Sequence, residues 1–412
     1  MAQTRSVGQG PSGGIPRLRP WTGTPLLSYG FRPFFLGAGL TAPLALLLWL
    51  GMLAHGLTLP VAMAPAAWHA HEMLFGFAMA AVAGFLLTAV PNWTGRLPLN
   101  GWPLAALAGL WLAGRLALGV GDRLGGAAAA LLDLAFPALL LAVVAREVAA
   151  GRNWRNLPVV AALASLLLAN LLMHLDALGL AATAPQGERL GIATLALLVT
   201  LIGGRIVPSF TTNWLKQRAG PPLPAPFGPL DKAALAASML ALLAWLGAPE
   251  GGVSGVLLIA AGALQAWRLG RWQGHRTLSE PLLWVLHLGY AWLALGLVLV
   301  GIDAQRGEFG AHLHALTVGC FGTMILAVMT RATLGHTGRE LRAGRATTAI
   351  YLFVTLAAVL RVAAHAAPGA YLALLTLSGL AWLAAFGLFL GVYGPMLVGP
   401  RAPATGSPPA RA

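Results

Sequence analysis

Apolar segments of about 20 residues recur along the whole chain, and a helix of this length spans the hydrocarbon layer of a bilayer. Because 58% of the 412 residues are hydrophobic and only 9% are charged, the chain lacks the polar surface of a soluble protein. The sequence therefore predicts an all-α, polytopic transmembrane helical bundle of about twelve spans. These lie at roughly residues 34–55, 67–91, 102–120, 124–145, 157–180, 189–208, 232–248, 252–269, 282–301, 311–331, 346–366 and 370–394.

The positive charges are distributed unevenly between the two sides of this predicted bundle. If the N-terminus lies inside, every Lys and Arg outside the spans is on the inner side except Arg123, Arg189 and Arg306. Cytoplasmic loops of membrane proteins are enriched in these two residues. The pattern predicts a multi-pass protein with both termini in the cytoplasm, and it explains the net charge of +14 without a nucleic-acid partner.

Domain organisation follows from the same pattern. We expect one twelve-span membrane domain at residues 34–394. Residues 1–33 and 395–412 are polar, basic and rich in Gly or Pro, which is typical of disordered tails. Both tails are predicted to be cytoplasmic.

Two histidine pairs stand at the beginning of apolar segments. His69 and His71 open the second span, His312 and His314 open the tenth, and a Thr-Gly-Arg tripeptide follows each pair at the same distance. Histidine is costly in a bilayer and rarely lies there without a partner. The repeated pattern favours metal or haem ligation over a packing role, although histidines hydrated by the outer headgroups remain the alternative.

Weak internal repetition relates the second, sixth and tenth spans. Shifts of 117 and 243 residues align Thr88 with Arg205 and Arg331. Repeated units of this kind bury their polar faces against each other. The pattern is consistent with three four-helix repeats.

The charge-based topology places seven of the ten histidines in one layer near the outer surface. They are His55, His69, His71, His174, His312, His314 and His365. Two helical positions differ by about 200° in direction, so the rings of a His-x-His pair point to opposite sides. Such a pair cannot chelate one ion from a regular helix. It can serve two centres, or one centre and one hydrogen bond.

Haem explains the pattern better than a bare metal ion, because Gly-rich apolar walls suit its ring and two arginines in the same layer, Arg115 and Arg361, could bind its propionates. The chain has no Cys-x-x-Cys-His motif, so any haem would be b-type with an axial histidine. Arg361 could instead extend its side chain to the interface. The predicted cofactor-binding residues are His69, His71, His174, His312, His314, Arg115 and Arg361. The predicted metal ligands are His69, His71, His312, His314 and His365.

Other polar residues within the spans are candidates for proton transfer and for a second polar site. Asp176 and Glu72 are candidate proton-transfer groups, with a structural hydrogen bond or simple hydration as the alternatives; catalytic residues proper cannot be assigned. An arginine inside a span costs about 2.5–3.5 kcal/mol on insertion scales and needs a partner or an aqueous cavity. We therefore expect an inner polar site, which would bind an anion or propionate or conduct protons. Its residues would be Arg205, Arg331, His287, Tyr290 and Asn92.

Several longer stretches together resemble the NnrS family over residues 30–395. They are Phe31-Arg32-Pro33-Phe34-Phe35, Trp68-His69-Ala70-His71-Glu72-Met73, Gly84 through Gly95, Gly203 through Thr211, Leu286 through Trp292, and His314 through Arg339. The resemblance implies a haem- and copper-containing protein of the bacterial inner membrane. It also implies a link to nitric oxide, nitrosative stress and denitrification.

The resemblance implies no defined reaction, so an enzymatic role as a haem/copper oxidoreductase acting on nitric oxide stays open. The electron donor is unknown. The residues that match the family's motifs are His69, His71, His174, His287, His312, His314, Arg205, Arg331 and Arg361. A twelve-span transporter of a small anion, a metal or haem is the alternative function, because internal repeats and Gly- or Pro-interrupted helices are also typical of transporters.

Overall fold

The structure is a computed structural model that describes residues 21–218, 220–308, 310 and 312–403. The described residues form helices and turns and contain no strand, which confirms the all-α prediction. Residues 1–20 and 404–412, which carry most of the predicted disordered tails, lie outside the described part of the chain. Within the first tail, Pro25–Leu27 form a short 3-10 helix.

Twelve helices of the described chain are long and apolar enough to cross a membrane, which confirms the predicted number of spans. They are α1 (Phe31–His55), α2 (Pro65–Thr94), α3 (Trp102–Gly119), α4 (Gly126–Ala150), α5 (Leu157–Ala177), α6 (Ala184–Arg218), α7 (Pro229–Gly247), α8 (Gly252–Gly270), α9 (Pro281–Arg306), α10 (Ala315–His336), α11 (Arg345–Ala366) and α12 (Tyr371–Val398).

The largest boundary difference is at α6, which we expected to end near residue 208. It continues to Arg218 with Pro208 inside the helix. Proline lacks an N–H group and leaves the carbonyl four residues earlier, that of Gly204, without its usual donor. Arg268 of α8 donates to this oxygen (3.4 Å), so the helix passes through the proline with its backbone still hydrogen-bonded.

The three spans that carry the repeated sequence pattern lie in the centre of the bundle. The apolar windows of α2, α6 and α10 are among the most buried of the twelve. Each contains a π-helical segment, at Glu72–Ala78, Val199–Gly203 and Ala315–Gly322 respectively. The first and third segments coincide under the shift of 243 residues, whereas the second does not follow the shift of 117. The three four-helix repeats therefore stay a prediction.

Side chains of neighbouring helices bind the carbonyl groups that π segments expose. Trp111 Nε1 of α3 donates to the carbonyl oxygen of Gly76 in α2 (3.1 Å). Arg268 donates to the carbonyl oxygen of Thr200 in α6 (3.0 Å). Unpaired backbone groups are not tolerated in hydrocarbon, so these contacts allow the wider helical turns to persist. π segments occur frequently at functional sites.

The first and last helices are joined at one end of the bundle. Arg32 of α1 donates to the carbonyl oxygens of Leu397 (2.9 Å) and Gly399 (2.7 Å) at the end of α12. A cation at a helix C-terminus also interacts favourably with the helix dipole. The contact places the beginning of α1 and the end of α12 on the same side of the membrane domain.

Candidate functional site

Histidines gather at the end of the bundle where α2 and α10 begin and α5 and α11 end; we call it the histidine end. The rings of His71 and His174 have centroids 5.1 Å apart, and those of His312 and His365 are 5.8 Å apart. The side chain of His55 lies outside the described part of the structure. Two separate sites form at this end: a buried cluster of polar side chains and a cavity.

The buried cluster, which we name the Asp133 cluster, draws side chains from α2, α3, α4 and α5. Its members are His71, Glu72, Arg115, Asp133, Asn170 and His174. Asp133 is at the centre: its Oδ2 atom lies 2.9 Å from His174 Nε2 and 3.2 Å from His71 Nε2. The same oxygen accepts a hydrogen bond from Asn170 Nδ2 (2.8 Å).

Arg115 lies between the two carboxylates of this cluster. It donates to Glu72 Oε1 (2.6 Å) and to Asp133. The arginine that we expected to bind a propionate is thus already paired with protein carboxylates. With two carboxylates and one guanidinium, the buried group carries one net negative charge when both histidines are neutral. A buried charge of this kind needs a compensating cation, which a metal ion or a proton on an imidazole can supply.

Ligand geometry makes the Asp133 cluster a candidate metal centre. One ligand atom from each of His71, Asp133 and His174 can be chosen so that all three lie within 4.8 Å of one another. Two imidazoles and a carboxylate form a donor set that suits zinc, copper or ferrous iron. His71 Nδ1 has no hydrogen-bond partner among the described residues. Sequence reasoning missed Asp133, although an isolated carboxylate inside the apolar run of α4 was a usable signal.

The second site is a cavity of about 440 Å³ between α1, α2, α6, α10, α11 and α12. This size falls within the usual range of ligand pockets, about 300–1,000 Å³. His69 and His314 both line it, so the cavity joins one histidine from each repeated pair. Most of the wall is apolar. The other polar side chains along the wall are Glu188, Thr317, Arg361, Tyr371 and Ser378.

Each of the two cavity histidines has a ring nitrogen without a hydrogen-bond partner among the described residues. The Nδ1 atoms of His69 and His314 are buried and have no hydrogen-bond partner among the described residues. Buried polar atoms are normally satisfied, so two such atoms in side chains that line one cavity need an explanation. The ring of His69 stacks on Trp49, with centroids 4.9 Å apart and planes 17° apart, which fixes its orientation.

Within each His-x-His pair the two rings reach different surroundings. His69 faces the cavity whereas His71 belongs to the Asp133 cluster, as the helical geometry of α2 requires. In the second pair His314 lines the cavity, and His312 Nδ1 lies 2.6 Å from Asp303 Oδ1. Asp303 also accepts a hydrogen bond from the backbone N–H of His312 (2.8 Å), so this carboxylate positions the segment that leads into α10.

The predicted proton-transfer groups do not line the cavity. Asp176 Oδ2 accepts a hydrogen bond from the backbone N–H of Ala184 (3.0 Å), at the beginning of α6. This contact matches the structural alternative for Asp176. Glu72 is paired with Arg115 in the Asp133 cluster. Closer to the cavity, Arg361 donates to His365 Nε2 (3.0 Å).

The structure does not assemble the predicted inner polar site from Arg205, Arg331 and Asn92. Arg205 and Asn92 are exposed. The guanidinium of Arg331 lies 4.2 Å from the ring centroid of Phe210, which is a cation–π contact. These residues were predicted to lie at a similar depth in the bilayer, but the packing of their helices gives each of them different neighbours.

The two remaining members of that set have partners of their own. His287 Nε2 lies 2.9 Å from Thr211 Oγ1. Tyr290 accepts a hydrogen bond from Arg268 (2.8 Å) and donates to Gln265 Oε1 (2.6 Å). The observed polar network at this depth is therefore centred on Arg268, which lies at the end of α8 and was not among the predicted site residues.

Comparison with known protein families identifies the chain. The family described as NnrS protein matches residues 25–401, which is nearly its whole length. The chain belongs to the NnrS family. A comparison with curated proteins found no match. The NnrS match includes every helix that contributes to the Asp133 cluster and to the cavity, and it confirms the resemblance seen in the sequence motifs.

Proposed function

We propose that this NnrS-family protein is an integral membrane haem and copper protein that takes part in the response to nitric oxide or its detoxification. The observation that carries the proposal is the cavity at the histidine end. His69 and His314 line it from two central helices, and each has a buried Nδ1 atom without a partner. The proposal gives these two residues the role of holding haem, with one of them as the iron ligand, so that the iron would keep a position for a diatomic molecule.

The wall of the cavity fits a haem b group. Trp49, Phe77 and Trp382 provide apolar surface for a macrocycle. Arg361 and Tyr371 provide donors for propionate groups, and arginine pairs especially well with carboxylates. Haem bound there would supply an iron centre for a diatomic ligand, with the outcome set by the polarity and accessibility of the site.

The Asp133 cluster is the site that we propose for copper. His71 and His174 provide imidazoles, which suit copper, and the cluster has the net negative charge that a buried cation needs. Arg115 holds Asp133 from the opposite side, so it orients the carboxylate toward the histidines. His69 and His71 are two residues apart on α2, so one helix contributes a histidine to each of the two sites.

Nitric oxide is the ligand that this arrangement suits. It is uncharged and dissolves in the bilayer, so it reaches an apolar cavity without a polar channel. The protein side chains then orient the site: Trp49 fixes the ring of His69, and His365 holds Arg361 at the cavity wall. Reduction of the bound ligand would need electrons from a donor, whereas storage or sensing would need only binding.

We further propose that the protein lies in the bacterial inner membrane with both termini in the cytoplasm. The bias of Lys and Arg toward one side supports this orientation. The contact between Arg32 and the end of α12 keeps both ends of the membrane domain together. The cavity and the Asp133 cluster would then lie near the periplasmic surface.

The test is to purify the protein in detergent, record its visible spectrum and measure iron and copper. His69→Ala and His314→Ala are expected to lose haem absorbance and retain copper, whereas Asp133→Asn is expected to lose copper and retain haem. His275→Ala is the control, because His275 is exposed in the α8–α9 loop and distant in sequence from both sites. Addition of nitric oxide to the reduced wild-type protein should shift the Soret band.

Equal haem and copper contents in all four variants would remove the ligand assignments. Wild-type protein without haem absorbance or bound metal would contradict the proposal itself. In that case the transporter alternative would be the better explanation of twelve helices with interrupted central spans.

A further inference from the structure

A second, smaller pocket lies between the three central helices α2, α6 and α10. Its volume is about 100 Å³. Apolar side chains line it, from α1 as well as from the three central helices. They include Phe35, Ala81, Leu86, Leu198, Phe321 and Met324.

This pocket continues the histidine-lined cavity along all three central helices. On α2 the cavity is lined as far as Ala78 and the pocket begins at Ala81; on α6 the corresponding residues are Ile192 and Leu195. Each interval is about one helical turn. On α10 the side chain of Phe321 lines both spaces. The pocket therefore lies directly beyond the cavity, and the buried ring of Phe321 stands between them.

We infer that this pocket is a holding site for a small apolar gas molecule on its way between the bilayer and the cavity. The inference rests on the proposed function insofar as the gas is nitric oxide. A pocket without polar groups gives water no hydrogen-bond partners and stays dry, and an apolar cavity of about 150 Å³ in another protein takes up xenon or benzene. A diatomic molecule fits the smaller space observed here.

The rim of the pocket provides an entry from the lipid side. Val82 of α2 and both Ile325 and Val328 of α10 line the pocket and are partly exposed. Phe321 and Met324, by contrast, are buried, with only 4% of each residue exposed. A gas that partitions into the bilayer can therefore enter between these rim side chains, and movement of the Phe321 ring would release it into the cavity.

Xenon is the probe for the pocket, because it is apolar, monatomic and visible by anomalous scattering. Crystals of the wild-type protein pressurised with xenon should show an anomalous peak between Ala81, Leu198 and Met324. Ala81→Leu places extra methyl groups in the pocket and should abolish the peak. The matched control is Ala236→Leu, which makes the same change on the exposed surface of α7 and should retain it.

The route is tested by the rate at which nitric oxide binds to the reduced, haem-loaded protein after rapid mixing. Ala81→Leu should slow this association severalfold, whereas Ala236→Leu should leave it unchanged. An unchanged association rate in Ala81→Leu would show that nitric oxide does not reach the haem through this pocket. The absence of a xenon peak in the wild-type protein, or density for a lipid or detergent chain in the pocket, would overturn the holding site.

Haem content is measured on the same preparations and separates the two proposals. A xenon peak in a protein that binds no haem would leave the gas site intact and remove the nitric oxide assignment. Haem-loaded protein without a xenon peak would remove the gas site and leave the haem proposal intact. Neither result depends on whether the Ala81→Leu variant folds, because both are read from the wild-type protein.

Discussion

Arg115 and Arg268 both lie within membrane-spanning helices, and each is paired with carboxylates that come from other helices. Arg115 binds Glu72 and Asp133, and Arg268 binds Asp231 through Nε (2.8 Å). A charged side chain inside a bilayer is costly unless it is paired. Arg115 keeps one carboxylate partner when the other is removed, whereas the loss of Asp231 would leave the buried guanidinium of Arg268 without a carboxylate partner among the described residues.

The Arg268 pair gives a prediction for stability. Asp231→Asn removes the one carboxylate that pairs with Arg268 among the described residues, and the Arg268 side chain is 1% exposed. We expect the free energy of unfolding to fall by about 3–5 kcal/mol, the usual cost of breaking a buried ion pair. Denaturant unfolding in detergent measures this change.

Glu147→Gln is the control for that substitution. Glu147 pairs with Arg146 and Arg96, whose side chains are 67% and 44% exposed, so the loss of its charge should cost about 0–1 kcal/mol. Equal effects of the two substitutions would show that Asp231 does not compensate a buried charge.

At the scale of helices, small residues decide how closely α8 and α9 approach. A Cβ atom on Gly255 would lie 2.7 Å from the carbonyl oxygen of Gly301, and one on Gly301 would lie 2.8 Å from that of Gly255. Helix pairs in membranes use such small residues to bring their backbones together. The contact matters for the polar network, because α8 supplies Arg268 and α9 supplies Tyr290.

This packing predicts the effect of a single added methyl group. In Gly262→Ala the new Cβ would lie 2.6 Å from the carbonyl oxygen of Ala294, a backbone atom that cannot rotate away. We expect the variant to lose about 1–3 kcal/mol of stability, as overpacked cores do. Thermal unfolding in detergent provides the measurement. Gly387→Ala in α12 is the matched control, because a Cβ there meets nothing within 4 Å; a similar loss in both variants would refute the close-packing argument.

At the scale of the whole molecule, an even number of spans places both ends of the membrane domain on one side. The Arg32 contact with the end of α12 agrees with this arrangement. Most of the Lys and Arg residues outside the spans lie on that same side. The histidine end is therefore the face with few positive charges.

This asymmetry predicts the result of reporter fusions. Green fluorescent protein fused after residue 412 should fluoresce, and alkaline phosphatase fused there should be inactive, because the C-terminus is expected in the cytoplasm. A phosphatase fusion in the loop between α9 and α10, at the histidine end, should be active. Active phosphatase at the C-terminus would reverse the orientation that we propose for the whole protein.

The sequence alone determined the all-α fold, the twelve spans and the family. Span length and hydrophobicity are local properties, and a bilayer accepts few structures other than helices for such segments. The sequence also identified the four histidines of the repeated pairs, since an ionisable side chain in an apolar run is unusual. For His69 and His71, helical geometry alone predicted that the two rings point to opposite sides of the helix.

Only the tertiary structure decided which of these side chains meet. A topology assigns each residue a depth in the membrane, but it does not assign the direction in which its helix faces the neighbouring helices. For this reason the sequence could not join His71 to Asp133, or His69 to His314 across a cavity. For the same reason the sequence could not separate Arg331 from Tyr290. The two were predicted to share a site because they share a depth, but Arg331 contacts Phe210 and Tyr290 contacts Arg268.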